Sequence, residues 1–264
     1  MSAPSENNTG DQATSLAPDR SRPPGVSAVE TEGPGGQSEP PEASTSQISS
    51  VWKVIHTDEL RPISMRAIWP KGVTPSRSVQ NLTFTASLYR TAAERQLAFE
   101  GKAAELSTQG YNIYVVMNPV REDFAGGAVS DADIAFRDLL LIDIDRAGST
   151  KDPASDEEVE AAIKLADEVA ADSALQGLDL RARVMSGNGV HLYYALDELP
   201  NDATSKSSVQ ELLQLLAQKF DTEEVKIDQS VFNASRITKV PGTLARKGQA
   251  SSERPYRSAK VLWP

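Results

Sequence analysis

The chain contains no cysteine, so it can form neither a disulfide nor a cysteine-ligated zinc site, and it suits a reducing compartment such as the cytoplasm. It has only two histidines, His56 and His191, which rules out a multi-histidine metal centre. Any metal must then be held mainly by oxygen, which favours Mg²⁺ or Mn²⁺. No apolar run approaches the ~20 residues needed to span a bilayer, so no membrane partner is expected. The N-terminus lacks the charged segment and apolar core of a signal peptide. No Walker A pattern occurs anywhere.

The net charge of −10 argues weakly against nucleic-acid binding. Part of that charge lies outside the expected fold, because the first fifty residues hold seven acids against Arg20 and Arg22. Residues 1–50 are rich in Ser, Pro, Gly and Glu and nearly empty of large apolar groups. Such a segment cannot offset its ordering entropy, and it is expected to be a disordered tail. Basic residues gather instead near the C-terminal end, at Arg236, Lys239, Arg246, Lys247, Arg254, Arg257 and Lys260. A local basic strip is what a phosphate-bearing partner needs, whatever the overall sum.

From residue 51 the pattern is globular. Strands are expected at 65–69, 82–88 and 111–117, with a helix between the last two that opens at the capping box Thr91-Ala92-Ala93-Glu94. The second half reads more clearly. Residues 139–145 form a strand, and Ser155-Asp156-Glu157-Glu158 opens a helix with apolar residues at i, i+3, i+4 spacing. Strands follow at 181–186 and 190–196. A second capping box from Ser208 to Glu211 opens another helix, and a last strand spans 225–231. The order β-α-β-β-α-β is the split β-α-β pattern of ferredoxin-like and RNA-recognition-motif-like (RRM-like) domains. The expected architecture is therefore α+β. An N-terminal α/β part (51–138) packs with an RRM-like, palm-type core (139–248), within one domain spanning 51–264.

Three stretches carry chemistry. Residues 140–145, Leu-Leu-Ile-Asp-Ile-Asp, place Asp143 and Asp145 on one face of a strand while Ile144 points into the core. Two carboxylates so close at the end of an apolar strand call for a positive partner, and a divalent cation answers that need. Residues 186–191, Ser-Gly-Asn-Gly-Val-His, read as a hairpin. Asn188-Gly189 is the favoured pair for a type I′ turn, which would set Gly187 opposite Val190 and Ser186 opposite His191. The third stretch holds Asp228, followed by Arg236, Lys239 and Lys247. In a split β-α-β sheet the first strand is central, so its C-terminal end would meet His191 and Asp228 at one rim.

At these residues the chain resembles the archaeo-eukaryotic primase superfamily, in particular the primase–polymerase domains of phage and plasmid replication proteins (RepB-like and bifunctional primase/polymerase types). Asp143 and Asp145 match that family's first motif, Ser186 and His191 its second, and Asp228 is the candidate for its third acid. Residues 112–119, 130–137 and 235–243 with Lys247-Gly248 resemble the same branch, and the likeness covers roughly 65 to 260. The cysteine-rich zinc element of some relatives is missing. A helicase half, if one exists, lies downstream of this chain or in another protein acting in trans.

The resemblance implies a two-metal nucleotidyltransferase, a DNA primase/polymerase that makes or extends primers on single-stranded DNA during replication. Asp143, Asp145 and Asp228 would bind two Mg²⁺ or Mn²⁺ ions, and His191 would contact the phosphates of a nucleoside triphosphate substrate. Ser186, Gly187, Asn188, Arg236, Lys239 and Lys247 are the further candidates for nucleotide or strand phosphates. Tyr193 or Tyr194 could stack on a base or sit in the core. Each candidate has an ordinary structural counterpart. Aspartates favour strand-end turns, a strand histidine can simply be hydrogen-bonded, and a serine beside a turn often serves that turn. Arg236 could pair with an acid, exposed lysines are often only solvated, and Asp221 rivals Asp228. Two other functions stand beside the first: a catalytically silent replication protein of the same fold that binds nucleic acid or nucleotide, and a metal-dependent nuclease or phosphohydrolase.

Overall fold

The computed structural model describes residues 43–56, 61–148 and 151–263. Most of the expected tail, residues 1–42, lies outside the described residues. The folded part begins earlier than residue 51, however. Two short helices, α1 (Thr45–Ile48) and α2 (Val51–Val54), bury Ile48 and Val51 completely. A single isoleucine in a polar stretch is a faint signal, and its burial against the helix Ala92–Thr108 is visible only in three dimensions.

The first sheet starts with β1 (Ile63–Ile68), β2 (Gln80–Phe84) and, after α3 (Ala92–Thr108), β3 (Asn112–Val116). Helix α3 begins where its cap predicts, with Thr91 Oγ1 accepting from the Glu94 amide at 3.1 Å. It buries Phe99, Ala103 and Leu106 on one face of the sheet. β2 stops at Phe84, short of the expected residue 88, because residues 86–88 turn and Leu88 is exposed.

The second sheet contains β4 (Phe136–Arg146), β5 (Leu180–Met185), β6 (Val190–Pro200) and β7 (Val225–Ile227), with α4 (Asp156–Ala170) and α5 (Ala203–Phe220) between them. The chain closes with β8 (Ile237–Lys239), β9 (Leu244–Ala245), β10 (Arg257–Ser258) and β11 (Lys260–Trp263). The strand order is β11-β5-β6-β4-β7 in this sheet and β2-β1-β3-β8 in the first, with every pairing antiparallel. β4 thus lies between β6 and β7, as the split pattern requires. The architecture is mixed α+β.

Three expectations need correcting. Helix α5 starts at Ala203 rather than near Ser208, because Asp202 accepts from the Ser205 amide at 2.8 Å and supplies an earlier cap. β7 ends at Ile227, short of residue 231. A boundary at 138/139 does not separate the sheets, because β8 crosses back to pair with β3 and β11 extends the second sheet beside β5. Strands of two to four residues carry too little alternation to be read from sequence.

The C-terminal basic strip is used largely inside the protein. Arg254 grips Glu158 bidentately at 2.7 and 2.9 Å, Arg146 meets the same carboxylate at 2.7 Å, and Arg257 pairs with Asp156. Glu158 is also the last residue of the capping box that opens α4. This cluster ties the end of β4, the start of α4 and the C-terminal segment together. The Arg254 hydrogen bonds above all, with help from Arg146 and against partial burial, hold the Glu158 carboxyl down at about 2. A depressed carboxyl stabilises the fold above its ordinary value near 4.5, and that contribution is lost as pH falls toward 2. Glu158→Gln should therefore lower stability at pH 7 by ~1–3 kcal/mol and flatten its pH dependence between about 4.5 and 2, as read by urea denaturation across pH. An unchanged acid limb would contradict this.

Candidate active site

A cavity of about 260 Å³ opens between the two sheets. Asp143, Asp145, Ser186, Asn188 and His191 line one wall, and Asn112, Tyr114, Arg236 and Lys239 line the other, with Lys247 at the loop between β9 and β10. Alternation along β4 produces the first wall. Ile144 is fully buried while its two neighbours Asp143 and Asp145 turn toward the cleft. Asp143 lies directly opposite His191 of β6, and on its other side its carbonyl accepts from the Asp228 amide at 2.8 Å.

The hairpin differs from the expected one. Ser186 faces Gly189 and Val184 faces His191, so the two turn residues are Gly187 and Asn188. Gly187 has φ +105° and Asn188 has no positive φ, which suits a turn with glycine first rather than the type I′ pair Asn188-Gly189. Gly189 is needed elsewhere. A Cβ there would come within 2.2 Å of the Ile144 carbonyl and 2.3 Å of the Asp145 carboxylate. Moving the register by one residue on each strand preserves the faces, so Ser186 stays on His191's side as its diagonal neighbour. Its hydroxyl is turned inward, to the backbone of Gly189. The Asn188 side-chain carbonyl likewise accepts from the Ala154 amide at 2.9 Å. Gly187 lies in the turn and not in the cavity wall.

The carboxylates are unequal. Burial would raise the Asp143 carboxyl, but the His191 imidazole, then Arg236 and Lys247, outweigh it and hold it below the ordinary range. Burial first, and the Asp143 charge second, push Asp145 up to about 6. His191 Nε2 lies 3.4 Å from Asp143 Oδ1, and burial of the imidazole is outweighed by that carboxylate, which lifts its pKa. The nitrogen facing a carboxylate must carry a proton. A neutral ring then accepts at Nδ1 from the Tyr193 hydroxyl, 3.0 Å away, whose own pKa is raised by burial. Tyr193 and Tyr194 are both buried, at 0% and 2% exposure, so neither is placed to stack on a base.

The remaining candidates divide. Lys247 acts electrostatically on both aspartates and has no hydrogen-bonded partner among the described residues. Lys239 lines the cavity, but its ammonium donates to Thr243 Oγ1, the Leu244 carbonyl and, at 3.5 Å, the Ile113 carbonyl. Burial, and secondarily the Arg246 charge, lower its pKa well below the usual lysine value. Arg236 pairs with Asp228 at 3.3 Å, and the Asp228 carboxylate also accepts from the Ser230 amide at 2.8 Å. Asp228 does not line the cavity, and its rival Asp221 accepts from the Ile227 amide. Asn112, Tyr114 and Arg246 are not singled out as site residues by the sequence, although 112–119 is a family-like stretch and Arg246 belongs to the basic strip. Asn112 exchanges two 2.7 Å hydrogen bonds with the backbone of Arg246, fixing the loop that carries Lys247. Tyr114, whose hydroxyl pKa is raised by burial and then by Asp143 and Asp145, faces those acids across the cleft. Arg246 joins them at the cavity wall. A buried asparagine on an apolar strand was a further signal.

Among the described residues no three His, Asp or Glu side chains are arranged to hold a metal ion as they stand. The donor chemistry nevertheless fits a hard divalent cation. Asp143 Oδ1 is buried with only the long 3.4 Å contact to His191 Nε2, beside a second carboxylate whose charge it disfavours. Asp143 and Asp145 would be the ligands, with Asp228 available only if it leaves Arg236. Because the folded-state pKa of Asp145 exceeds its ordinary value of 3.8, the carboxylate destabilises the fold as pH rises from about 4 to 6. Asp145→Asn should raise stability at pH 7 in EDTA by ~1–2 kcal/mol, measured by denaturation. Equal or lower stability would contradict the repulsion.

Neither a family model nor a curated protein matches the sequence. Solved structures do match. The archaeo-eukaryotic primase domain of the cyanophage S-2L primase-polymerase aligns at 16% identity and a TM-score of 0.51, over 84% of this chain and 91% of that one. The polymerase domain of Mycobacterium tuberculosis ligase D, solved in complex with DNA, gives 17% and 0.46 over 81% and 79%. The primase RepB′ gives 13% and 0.44 over 83% of this chain and 55% of that one. Of these three, the cyanophage domain alone passes 0.5, and the assignment rests on it: the chain has the fold of archaeo-eukaryotic primase–polymerase domains.

Proposed function

We propose that this protein is a metal-dependent, template-directed nucleotidyltransferase, a primase/polymerase that makes or extends primers on single-stranded DNA in replication. The observation that carries the reading is the row formed by Asp143, Asp145 and His191 on one wall of the cleft, with Lys247 beside it. In this reading the β4–β7 sheet is the RRM-like palm of a catalytic domain spanning about 51–264, and the first sheet roofs it.

Two Mg²⁺ or Mn²⁺ ions, when bound, supply charge stabilisation to an attacking 3′-hydroxyl and a departing pyrophosphate. The protein's own residues do the placing. Asp143 and Asp145 present oxygens from a strand that cannot shift without moving the core, so alignment rather than proton transfer is their contribution. His191, whose Nδ1 is held by Tyr193, keeps its Nε2–H toward Asp143, and a phosphate oxygen would receive that proton only in competition with the carboxylate. Lys247 adds a positive charge, and the Asn112 clamp keeps its loop at the cleft. Arg236 can take a phosphate by exchanging it for Asp228, which would free that acid as a third ligand.

The Asp228–Arg236 pair also favours a second reading, a catalytically silent nucleotide- or nucleic-acid-binding protein of this fold, since it leaves only two carboxylates in the cavity. One assay separates the two. Purified protein is incubated with labelled nucleotides, Mn²⁺ or Mg²⁺ and a single-stranded template. Template-dependent products that fall at least ~100-fold in Asp143→Ala and Asp145→Ala support the polymerase. Binding without synthesis supports the silent protein, and template loss supports a nuclease.

A further inference from the structure

A second cavity, about 180 Å³, adjoins the first and shares Arg236 and Ile237 with it. It lies over the cleft face of the first sheet. In β1, Arg66 is opposite Asn81 of β2 on one side and Tyr114 of β3 on the other, and Tyr114 is opposite Lys239 of β8. Directly paired residues share a face, so Asn81, Arg66, Tyr114 and Lys239 form one row across the sheet. Met65 and Ala67, on the other face, are buried at 1% and 0% exposure.

Arg66 differs from Arg236 and Lys239, its neighbours in the cleft. Arg236 holds Asp228, and the Lys239 ammonium is hydrogen-bonded by its surroundings. Arg66 is half-buried and makes no hydrogen bond or ion pair with any described residue, and its Nε is buried without a partner. No aspartate or glutamate lines this cavity, whose polar walls include Asn81 and Asn233. A planar cation with no acid beside it among the described residues is suited to receive an anion. The row continues toward the carboxylates, and Arg66 lies two strands, roughly 10 Å, from Lys239 at the first cavity.

We propose that this second cavity is a phosphate subsite, in which Arg66 grips a phosphodiester of a single strand that continues into the carboxylate cleft. Asn81 and Asn233 supply neutral hydrogen bonds beside it, as strand-positioning contacts do. The inference rests on the nucleotidyltransferase reading for its direction, but not for its test.

The full chain in EDTA is titrated against a dye-labelled single-stranded oligonucleotide by fluorescence anisotropy at several salt concentrations, and separately against a fluorescent nucleoside triphosphate. Arg66→Gln should weaken oligonucleotide binding about 5–10-fold and reduce the salt slope by about 0.7, the loss of one phosphate contact on a single strand. Arg66→Lys should keep the slope, and triphosphate binding should be unchanged in both. Thermal melting of both variants checks that the fold persists. Wild type that fails to bind the strand, or Arg66→Gln that binds it with an unaltered slope, overturns the proposal. Parallel loss of triphosphate binding also overturns it, because the subsite would then serve the nucleotide. Loss of synthesis alone, with the Arg66 effect intact, refutes the polymerase reading and leaves this one standing.

Discussion

The end of β4 sets a problem that its surroundings are built to contain. Asp143 and Asp145 share one face of a largely buried strand, where burial opposes both charges and the Asp143 charge further opposes that of Asp145. The chain answers with partners at different distances. His191 lies directly across β6 from Asp143, Lys247 reaches both acids, and Arg236 acts on Asp143 from the far wall. These partners favour the charged form of Asp143, while the Asp145 carboxyl stays raised to about 6. A cation entering between the two would complete the compensation.

The rest of the fold keeps those partners in place. Gly189 lets the hairpin close against Asp145, where any side chain would collide. Tyr193 fixes one nitrogen of His191 so that the other faces the acid. The crossing of β8 into the first sheet delivers Arg236 and Lys239 to the opposite wall, and the Asn112 clamp holds the following loop. On the side away from the cleft, the Glu158 cluster secures the first turn of α4 to the residue that follows Asp145. Function and stability are therefore opposed at one carboxylate and joined at another.

Much of this was legible in the sequence. Alternation alone put Asp143 and Asp145 on one face, and the β-α-β-β-α-β order brought His191 beside them. The capping boxes at Thr91 and Ser155 marked helix starts correctly because local hydrogen bonds decide them. The misses share a physical cause, which is that several positions admit more than one local solution. Both Asp202 and Ser208 can cap a helix, and the Gly187-Asn188-Gly189 run offers two turns until packing against Ile144 chooses between them. The fate of each basic residue was hidden for a related reason. Whether Arg254 or Lys247 faces solvent or a carboxylate depends on where distant segments return, and Arg254 returns onto Glu158.

In the proposed reading a divalent ion binds between Asp143 and Asp145 in the cavity that His191 lines, whereas His56 lines a different one. With only two histidines in the chain, the imidazole signals of the protein give a direct reading. Substoichiometric Mn²⁺ should broaden the His191 resonances more strongly than those of His56, and lose this effect in the Asp143→Asn/Asp145→Asn double variant. Equal broadening of both histidines, or none of either, would contradict the account.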